Sequence, residues 1–266
     1  MALILPQWLD DYIFEHEKAE YYRCLSDMTV IDWGKSDVLK YLGTYFPRSY
    51  AESYSLFSGF LAESRYRWIN MNHIDVFDFG CGTGGQLIGM LTSICENQHS
   101  IASVTVNALD GNKHSLRICE RIVSEFQKRS NLKIEFKPFC LTIDDLYDLN
   151  LVGDVVTGKY DIVLSFKAIC EFITKARFAG KNAYEQFVRI FIPKIKPDGI
   201  MLMADVTTFN KQANEWLPKI MDEGLSTLRE DYEIASNQGY SETFAISHSR
   251  RSNDTSKIAW RIITSK

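Results

Sequence analysis

Asp78, Gly80, Cys81, Gly82, Thr83, Gly84 and Gly85 crowd the end of the apolar run IDVFDF. Glycines at alternate positions let a turn come close to a ligand at the carboxyl end of a buried strand, because no Cβ stands in the way. The Asp78 carboxylate, two residues before the first glycine, puts negative charge beside the same crevice. That suits a cationic or amino-bearing ligand better than a pyrophosphate. Gly80, Gly82 and Gly85 also satisfy G-x-G-x-x-G, the fingerprint of dinucleotide sites. Against that reading, Asp78 intrudes where such sites keep apolar residues. The next strand-ending carboxylate, Asp110 before Gly111, also lies further along than the roughly 20 residues expected of a ribose-binding acid.

A second group of reactive side chains follows the run YDIVLSF, in the stretch Ser165 to Phe172. Glu171 there could act as a general base or hold a substrate amine. It could equally be a helix-face carboxylate paired with Lys167 or Lys175. Among the five histidines, His248 sits at the end of an apolar run and is a further base candidate, whereas His114 falls on a charged helix. Lys167, Lys175, Arg177 and Lys181, with His248, Arg250 and Arg251, make a basic rim that would attract an anionic substrate such as RNA or simply be solvated. Tyrosines are dense before residue 70, at positions 12, 21, 22, 41, 45, 50, 54 and 66. Tyr50 and Tyr54 in that region are candidates for substrate contact through their ring faces, and the alternative is packing between amphipathic helices.

The elements that must position these groups follow from periodicity. The first seventy residues read as helices without a clear strand: Ser36-Asp37 caps VLKYLGTYF, which stops at Pro47, and a second helix follows. From residue 74 strands and helices alternate. IDVFDF, ASVTVNALD, LKIEFKPF, YDIVLSF and GIMLMADV read as strands. QLIGMLTSICEN, HSLRICERIVSEFQKR and AYEQFVRIFIPKI read as crossover helices, which implies parallel strands covered on both faces. The stretch NKQANEWLPKIMDEGLSTLREDYEIA reads as helical, an insertion around Trp216 and Met221 that could cap a site or pack outside it. ETFAISHS and SKIAWRIITS, joined by residues 250–254, read as a closing antiparallel hairpin.

Composition bounds the answer further. A chain of 266 residues with 13% aromatics and six prolines can bury a sizeable core. A net charge of −4 leaves no global basic footprint for nucleic acid or an anionic membrane. The six cysteines (24, 81, 95, 119, 140 and 170) form no C-x-x-C pair, so no metal is expected. The beginning, MALILPQWLDDYIFEHE, does not read as a secretory signal, and no apolar stretch approaches the roughly 18 residues of a membrane span. These features together read as a cytoplasmic protein.

With these residues in place the chain resembles the class I S-adenosylmethionine-dependent methyltransferase family. The resemblance rests on D-x-G-x-G-T-G at Asp78, Gly80, Gly82, Thr83 and Gly84, on Asp110, and on five alternating units before a final hairpin. It implies an α/β, Rossmann-like, seven-stranded mostly parallel sheet over residues 71–266, preceded by an N-terminal helical lid or substrate region at 1–70. It implies S-adenosyl-L-methionine as cofactor, held by Asp78, Gly80, Cys81, Gly82 and Gly84 at its amino-acid end and by Asp110 and Gly111 at the ribose. Ser165 would also lie at the cofactor. Many relatives carry an Asp after the third strand for the adenine amine. Here that stretch holds Cys140 and Leu141, whose backbone would serve instead, with Asp144 or Asp145 as alternatives or as ordinary helix-start carboxylates. The fourth strand end lacks the tetrad of amino-directed DNA methyltransferases. D-I-V-L-S-F-x-x-x-x-E-F and Y-F-P-R-S-Y-A-E-S-Y are similar to methyltransferase-like proteins of the mitochondrial small ribosomal subunit, whose cysteine cluster is absent here. The implied function is methyl transfer, catalysed mainly by alignment. The acceptor would be a small molecule, peptide or RNA bound near Tyr50, Tyr54, Lys167 and Arg250, with Glu171 or His248 as base. The alternative is a catalytically degenerate binding or ribosome-assembly factor on the same fold.

Overall fold

The computed structural model describes residues 2–23, 33–64, 67–173, 181–211 and 213–266, apart from the side chains of 172 and 173. In chain order its elements are β1 (Leu3–Ile4), α1 (Gln7–Asp11), a π-helical turn (Tyr12–His16), α2 (Lys35–Glu63), β2 (His73–Phe79) and α3 (Gly85–Asn97). There follow β3 (Ser103–Asp110), α4 (Lys113–Arg129), β4 (Lys133–Cys140), α5 (Leu146–Val155), β5 (Tyr160–Phe166), α6 (Cys170–Ile173) and α7 (Ala183–Phe191). The remainder is β6 (Ile195–Val206), β7 (Phe209–Asn210), β8 (Glu215–Trp216), α8 (Leu217–Gly224), β9 (Tyr232–Ser236), β10 (Glu242–His248) and β11 (Arg251–Ser265). Among the described residues nine strands share one sheet, not the expected seven; β1 and β9 are the additions, and β7 and β8 pair separately. The architecture is α/β with a large, mostly parallel sheet. Among the described residues no helix is long and apolar enough to cross a membrane.

The chain divides into two compact units. The first comprises Met1–His73, Cys81–Cys140 and Thr243–Ser256. In it β3 and β4 run parallel from Ser103↔Lys133 to Asp110↔Cys140, and β1 pairs with β10 in parallel. β1 contradicts the expectation of a strand-free beginning; two residues are too few to show a period. The long α2 corrects another expectation. It starts after Gly34 rather than at Ser36-Asp37, and it continues through Pro47 instead of ending there. An interior proline costs about 3 kcal/mol locally, yet both halves of α2 bury one face: Leu42, Phe46, Tyr50, Phe57 and Leu61 are each at most 2% exposed. That burial outweighs the local cost.

α2 lies directly on α3 because Gly85 and Gly89 remove the side chains that would separate them. A Cβ on Gly85 would stand 2.6 Å from the Phe46 carbonyl oxygen, and one on Gly89 would stand 2.4 Å from that of Tyr50. Further along, the Ser58 and Ser93 hydroxyls meet at 3.0 Å.

The second unit comprises Ile74–Gly80, Leu141–Glu242 and Lys257–Lys266. β5 is buried throughout and lies between β2 and β6, parallel to both, which explains its unbroken apolar run. β11 pairs antiparallel with β6 and with β9. Helix period meets strand period in the core: Phe187 and Phe191 of α7 contact Phe77 and Phe79 of β2, with Phe77–Phe191 centroids 5.0 Å apart and Phe79–Phe187 4.9 Å. The stretch expected to be one helix after Asn210 is instead the β7–β8 hairpin, α8 and β9. Pro218 sits in the first turn of α8, where a missing N–H costs nothing, so it marks a start rather than an interior. The closing loop is also shorter than expected, since β11 already begins at Arg251.

The glycines of the α2–α3 contact predict opposite effects for one substitution. Gly89→Ala should lower the urea-unfolding free energy by about 2 kcal/mol through overpacking against backbone. Gly59→Ala, whose Cβ would meet nothing within 4 Å, should raise it by about 0.5–1 kcal/mol through helix propensity.

Candidate functional site

In the first unit the turn is built from Cys81, Gly82 and Gly84. Gly82 and Gly84 take φ values of 52° and 90°, a left-handed backbone that side chains disfavour. The Gly84 N–H donates to the Cys81 carbonyl at 2.9 Å, and the Gly84 carbonyl accepts from the Ile88 N–H at 3.0 Å, so the turn runs directly into α3. Its helix N-terminus favours an anionic group such as a carboxylate. A Cβ at Gly84 would lie 2.6 Å from the Cys119 sulfur, and one at Gly82 would lie 3.3 Å from the Tyr41 hydroxyl.

Asp110 ties this turn to the end of β3. Its Oδ2 accepts the Gly82 N–H at 2.8 Å and its Oδ1 accepts the Asn112 N–H at 2.8 Å, while the Cys81 N–H donates to the Leu109 carbonyl at 2.9 Å. Asp110 is buried, and burial pushes its carboxyl above the usual range although the two backbone donors pull it down. Each oxygen can still accept another hydrogen bond. Asn112 caps α4 through the His114 and Ser115 N–H groups and donates its Nδ2 to the Trp33 carbonyl at 2.9 Å. Trp33 and Tyr41 rings lie 5.1 Å apart, and the buried Trp33 Nε1 finds no acceptor among the described residues. Sequence reasoning did not single out Trp33, Tyr41 or Asn112 as site residues. Their place here depends on where α2 settles, and the sequence carries no local signal for that.

Gly111 and Cys140 join the same group. Cys140 stands opposite Asp110 in the strand register, and its thiol donates to the Gly111 carbonyl at 3.9 Å. Of the two acids after it, Asp145 caps α5 by accepting the Asp148 N–H at 3.0 Å, the ordinary helix-start role.

In the second unit Asp78 is fully buried opposite Leu164, and Phe79 stands opposite Ser165. Gly80 has φ 68°, and its missing Cβ would be 2.4 Å from that of Ala168. Lys167, just before, holds φ 54° and donates its N–H to the Ala204 carbonyl at 2.7 Å. Such a backbone costs roughly 1–2 kcal/mol for a residue with a side chain. The Ser165 Oγ is buried without a partner among the described residues. Leu141 is half-buried, and Glu171 is exposed on α6. Behind it, Asp205 is buried and accepts from the Tyr184 hydroxyl and the Cys170 N–H, both at 3.0 Å. Burial raises its carboxyl despite these donors. Asp205 stands one residue before the end of β6, a strand-end acid that is visible in the sequence.

None of the contacts described for His248, Arg250, Tyr50 and Tyr54 is with Cys81, Gly82 or Gly84. The His248 side chain is wholly buried, stacked on Phe14 at 5.3 Å and 3.6 Å from Asp254. Asp254 is gripped by Arg48 at 2.9 and 2.8 Å and reached by the Tyr21 hydroxyl at 3.3 Å. Arg250 pairs with Glu15 at 2.7 Å. Tyr50 is buried against α3, and the Tyr54 hydroxyl donates to Glu96 at 2.7 Å, about 16 Å along α3 from its start. Lys175, Arg177, Tyr66 and Cys24 lie outside the described residues. Among the described residues no group of His, Cys, Asp and Glu could hold a metal ion.

No family model matches the sequence, and no curated protein matches it. Solved structures give fold-level likenesses. Magnesium protoporphyrin IX methyltransferase from Synechocystis PCC 6803 with bound SAM is 12% identical, with a TM-score of 0.46 over 97% of this chain and 90% of that one. The plantazolicin methyltransferase BpumL in complex with SAH is 12% identical, with a TM-score of 0.46 over 80% and 85%. A protein converting a disulfide bond into a thioacetal group during echinomycin biosynthesis is 9% identical, with a TM-score of 0.48 over 79% and 80%. At these values the likeness carries nothing about activity.

The Asp254 cluster sets an acid limit. Burial alone would raise the Asp254 carboxyl, but the His248 imidazole and the Arg48 guanidinium outweigh burial and hold it below the usual range. Its contribution to stability is therefore complete above the unfolded value near ~4 and is lost as pH falls through the depressed folded value. Arg48→Ala should cost about 3 kcal/mol at neutral pH by leaving a buried carboxylate uncompensated. It should also flatten the acid limb of a urea-unfolding series below about pH 4.

Proposed function

We propose that the chain is an S-adenosylmethionine-dependent methyltransferase of the class I type. The observation that carries this reading is the Gly82 N–H bond to the buried Asp110 carboxylate, which joins the glycine turn to the acid ending the next strand. The residues suit the cofactor's parts. Gly82 and Gly84 supply the positive-φ backbone of the turn, α3 opens its N-terminus there, and Asp110 has lone pairs for two hydroxyl donors. Cys81 and Gly111 would contribute backbone groups. Among the described residues the Trp33 Nε1 of the first unit has no acceptor, and it would be free to donate to the cofactor; Ser165, in the second unit, is carried over by position alone. By position in the motif, Asp78 and Gly80 would meet the amino end, and Cys140 and Leu141 the adenine. S-adenosyl-L-methionine would supply an activated sulfonium methyl.

The protein's own work is then alignment and exclusion of water. Lys167, in its left-handed backbone, and the exposed Glu171 are the residues best placed to meet an acceptor. His248 would need to leave its buried stack before it could act. We assign the helices within residues 1–70 to substrate access and residues 71–266 to the methyltransferase domain, acting in the cytoplasm on a small molecule or peptide, with RNA as the further class. The Cys140 thiol, standing where many relatives carry a carboxylate, favours a second reading: a binding or assembly factor that keeps the fold without turnover.

Calorimetry should show binding of S-adenosylmethionine and of its demethylated product, and Asp110→Asn should weaken both at least ~10-fold through loss of charge-assisted hydrogen bonds. Absence of binding by the wild-type chain would overturn the methyltransferase reading. Tight binding without methyl transfer into any fraction of a cell extract would select the second.

A further inference from the structure

Phe209, Trp216 and Tyr240 stand out on the second unit because they are large, aromatic, mutually in contact and left in water. They are 43%, 43% and 58% exposed. Phe209 faces Trp216 across the β7–β8 ladder, with ring centroids 5.5 Å apart at 76°, and Trp216 meets Tyr240 at 6.1 Å and 71°. Edge-to-face contacts of this kind hold the rings at fixed angles while leaving ring faces open. The scaffold beneath is firm. The Leu217 N–H donates to the Thr208 carbonyl at 3.1 Å, the Asn210 Oδ1 accepts the Ala213 N–H at 2.8 Å, and Leu217, Ile220 and Met221 of α8 are buried. Exposed aromatics presented by a built hairpin mark an interaction surface.

The charge around the rings decides the partner's sign. Residues 207–242 contain seven carboxylates against three cations. Glu215 precedes Trp216 and Glu242 follows Tyr240 by two residues; Glu242 accepts the Trp260 Nε1–H at 2.6 Å. The Lys219 ammonium is already held by Glu215 and Glu223. Lys211, at the hairpin, is exposed. A polyphosphate backbone would be repelled by this segment. A cation would be attracted twice, by the carboxylates and by the quadrupole of the ring faces.

We propose that Phe209, Trp216 and Tyr240 form a docking surface for a basic peptide segment, whose lysine or arginine side chains lie against the three rings. The proposal does not depend on methyl transfer, and its test omits the cofactor, so the two can fail separately.

The experiment titrates the full chain at low ionic strength with lysine-rich and arginine-rich decapeptides, a glutamate-rich decapeptide and a single-stranded RNA oligonucleotide, following tryptophan fluorescence and calorimetric heat. The basic peptides should bind and perturb the fluorescence of Trp216, identified by its loss in Trp216→Phe. Binding should weaken in 0.3 M salt as expected at roughly a 5 Å Debye length. Trp216→Ala and Tyr240→Ala should each weaken it about two- to fivefold. If Trp216→Ala also lowers the melting temperature, Tyr240→Ala carries the comparison, because its ring is the most exposed of the three. Absence of basic-peptide binding, binding by both alanine variants as tight as that of the wild-type chain, or tighter binding of the RNA or the acidic peptide would overturn the proposal.

Discussion

The backbone between Gly80 and Gly84 must reverse direction within five residues, and it does so by taking positive φ at every second one. Each of those glycines is also hemmed in: Ala168 stands at Gly80, Tyr41 at Gly82 and Cys119 at Gly84. A side chain would therefore meet both an unfavourable φ and a neighbour at each position. Because the reversal is so tight, α3 can begin at once with Gly85, and the next glycine of that helix, Gly89, lets the α2 backbone settle onto it. The same short segment thus shapes the tight turn and the principal helix contact of the first unit. Its requirements propagate outwards to Tyr41 and Trp33, whose positions follow from where α2 comes to rest.

Three buried carboxylates show how differently the fold treats negative charge. Asp254 receives a full guanidinium and is held below its ordinary range. Asp110 and Asp205 receive neutral donors, and burial leaves both above theirs. Asp254 is accordingly a structural tie, closed on itself. Asp110 is incompletely compensated, so a ligand offering further hydrogen-bond donors would meet an unmet demand. Electrostatics and backbone geometry in the first unit therefore converge on one place, the Gly82–Asp110 junction.

Much of this was legible in the residues, for identifiable reasons. Apolar runs bounded by turn signals gave β2 to β6 and α3, α4 and α7 closely, because each carries its own period. The elements that escaped depend on distant partners. α2 survives Pro47 only through burial against α3, β1 is two residues stitched to β10, and β9 owes its extended shape to β11. Pro218 marks the start of α8, but the helical pattern on both sides of it hides that start in the sequence. In the candidate site of the first unit, Asp110, Gly82 and Gly84 announce themselves by spacing and Tyr41 only as one of many tyrosines, whereas Trp33 and Asn112 are silent in sequence. His248 shows the opposite failure. Its strand-end position suggests chemistry, yet the structure seals its ring between Phe14, Tyr21 and Asp254.

The most direct measurement of the central claim is an amide-resolved NMR titration of the ¹⁵N-labelled chain with S-adenosylhomocysteine. If the Gly82–Asp110 junction holds the cofactor, the amides of Gly82, Gly84, Gly111 and Asn112 should shift together with a single affinity, along with the Trp33 indole N–H. Saturating ligand that leaves those signals in place, or moves only signals remote from the turn, would contradict it.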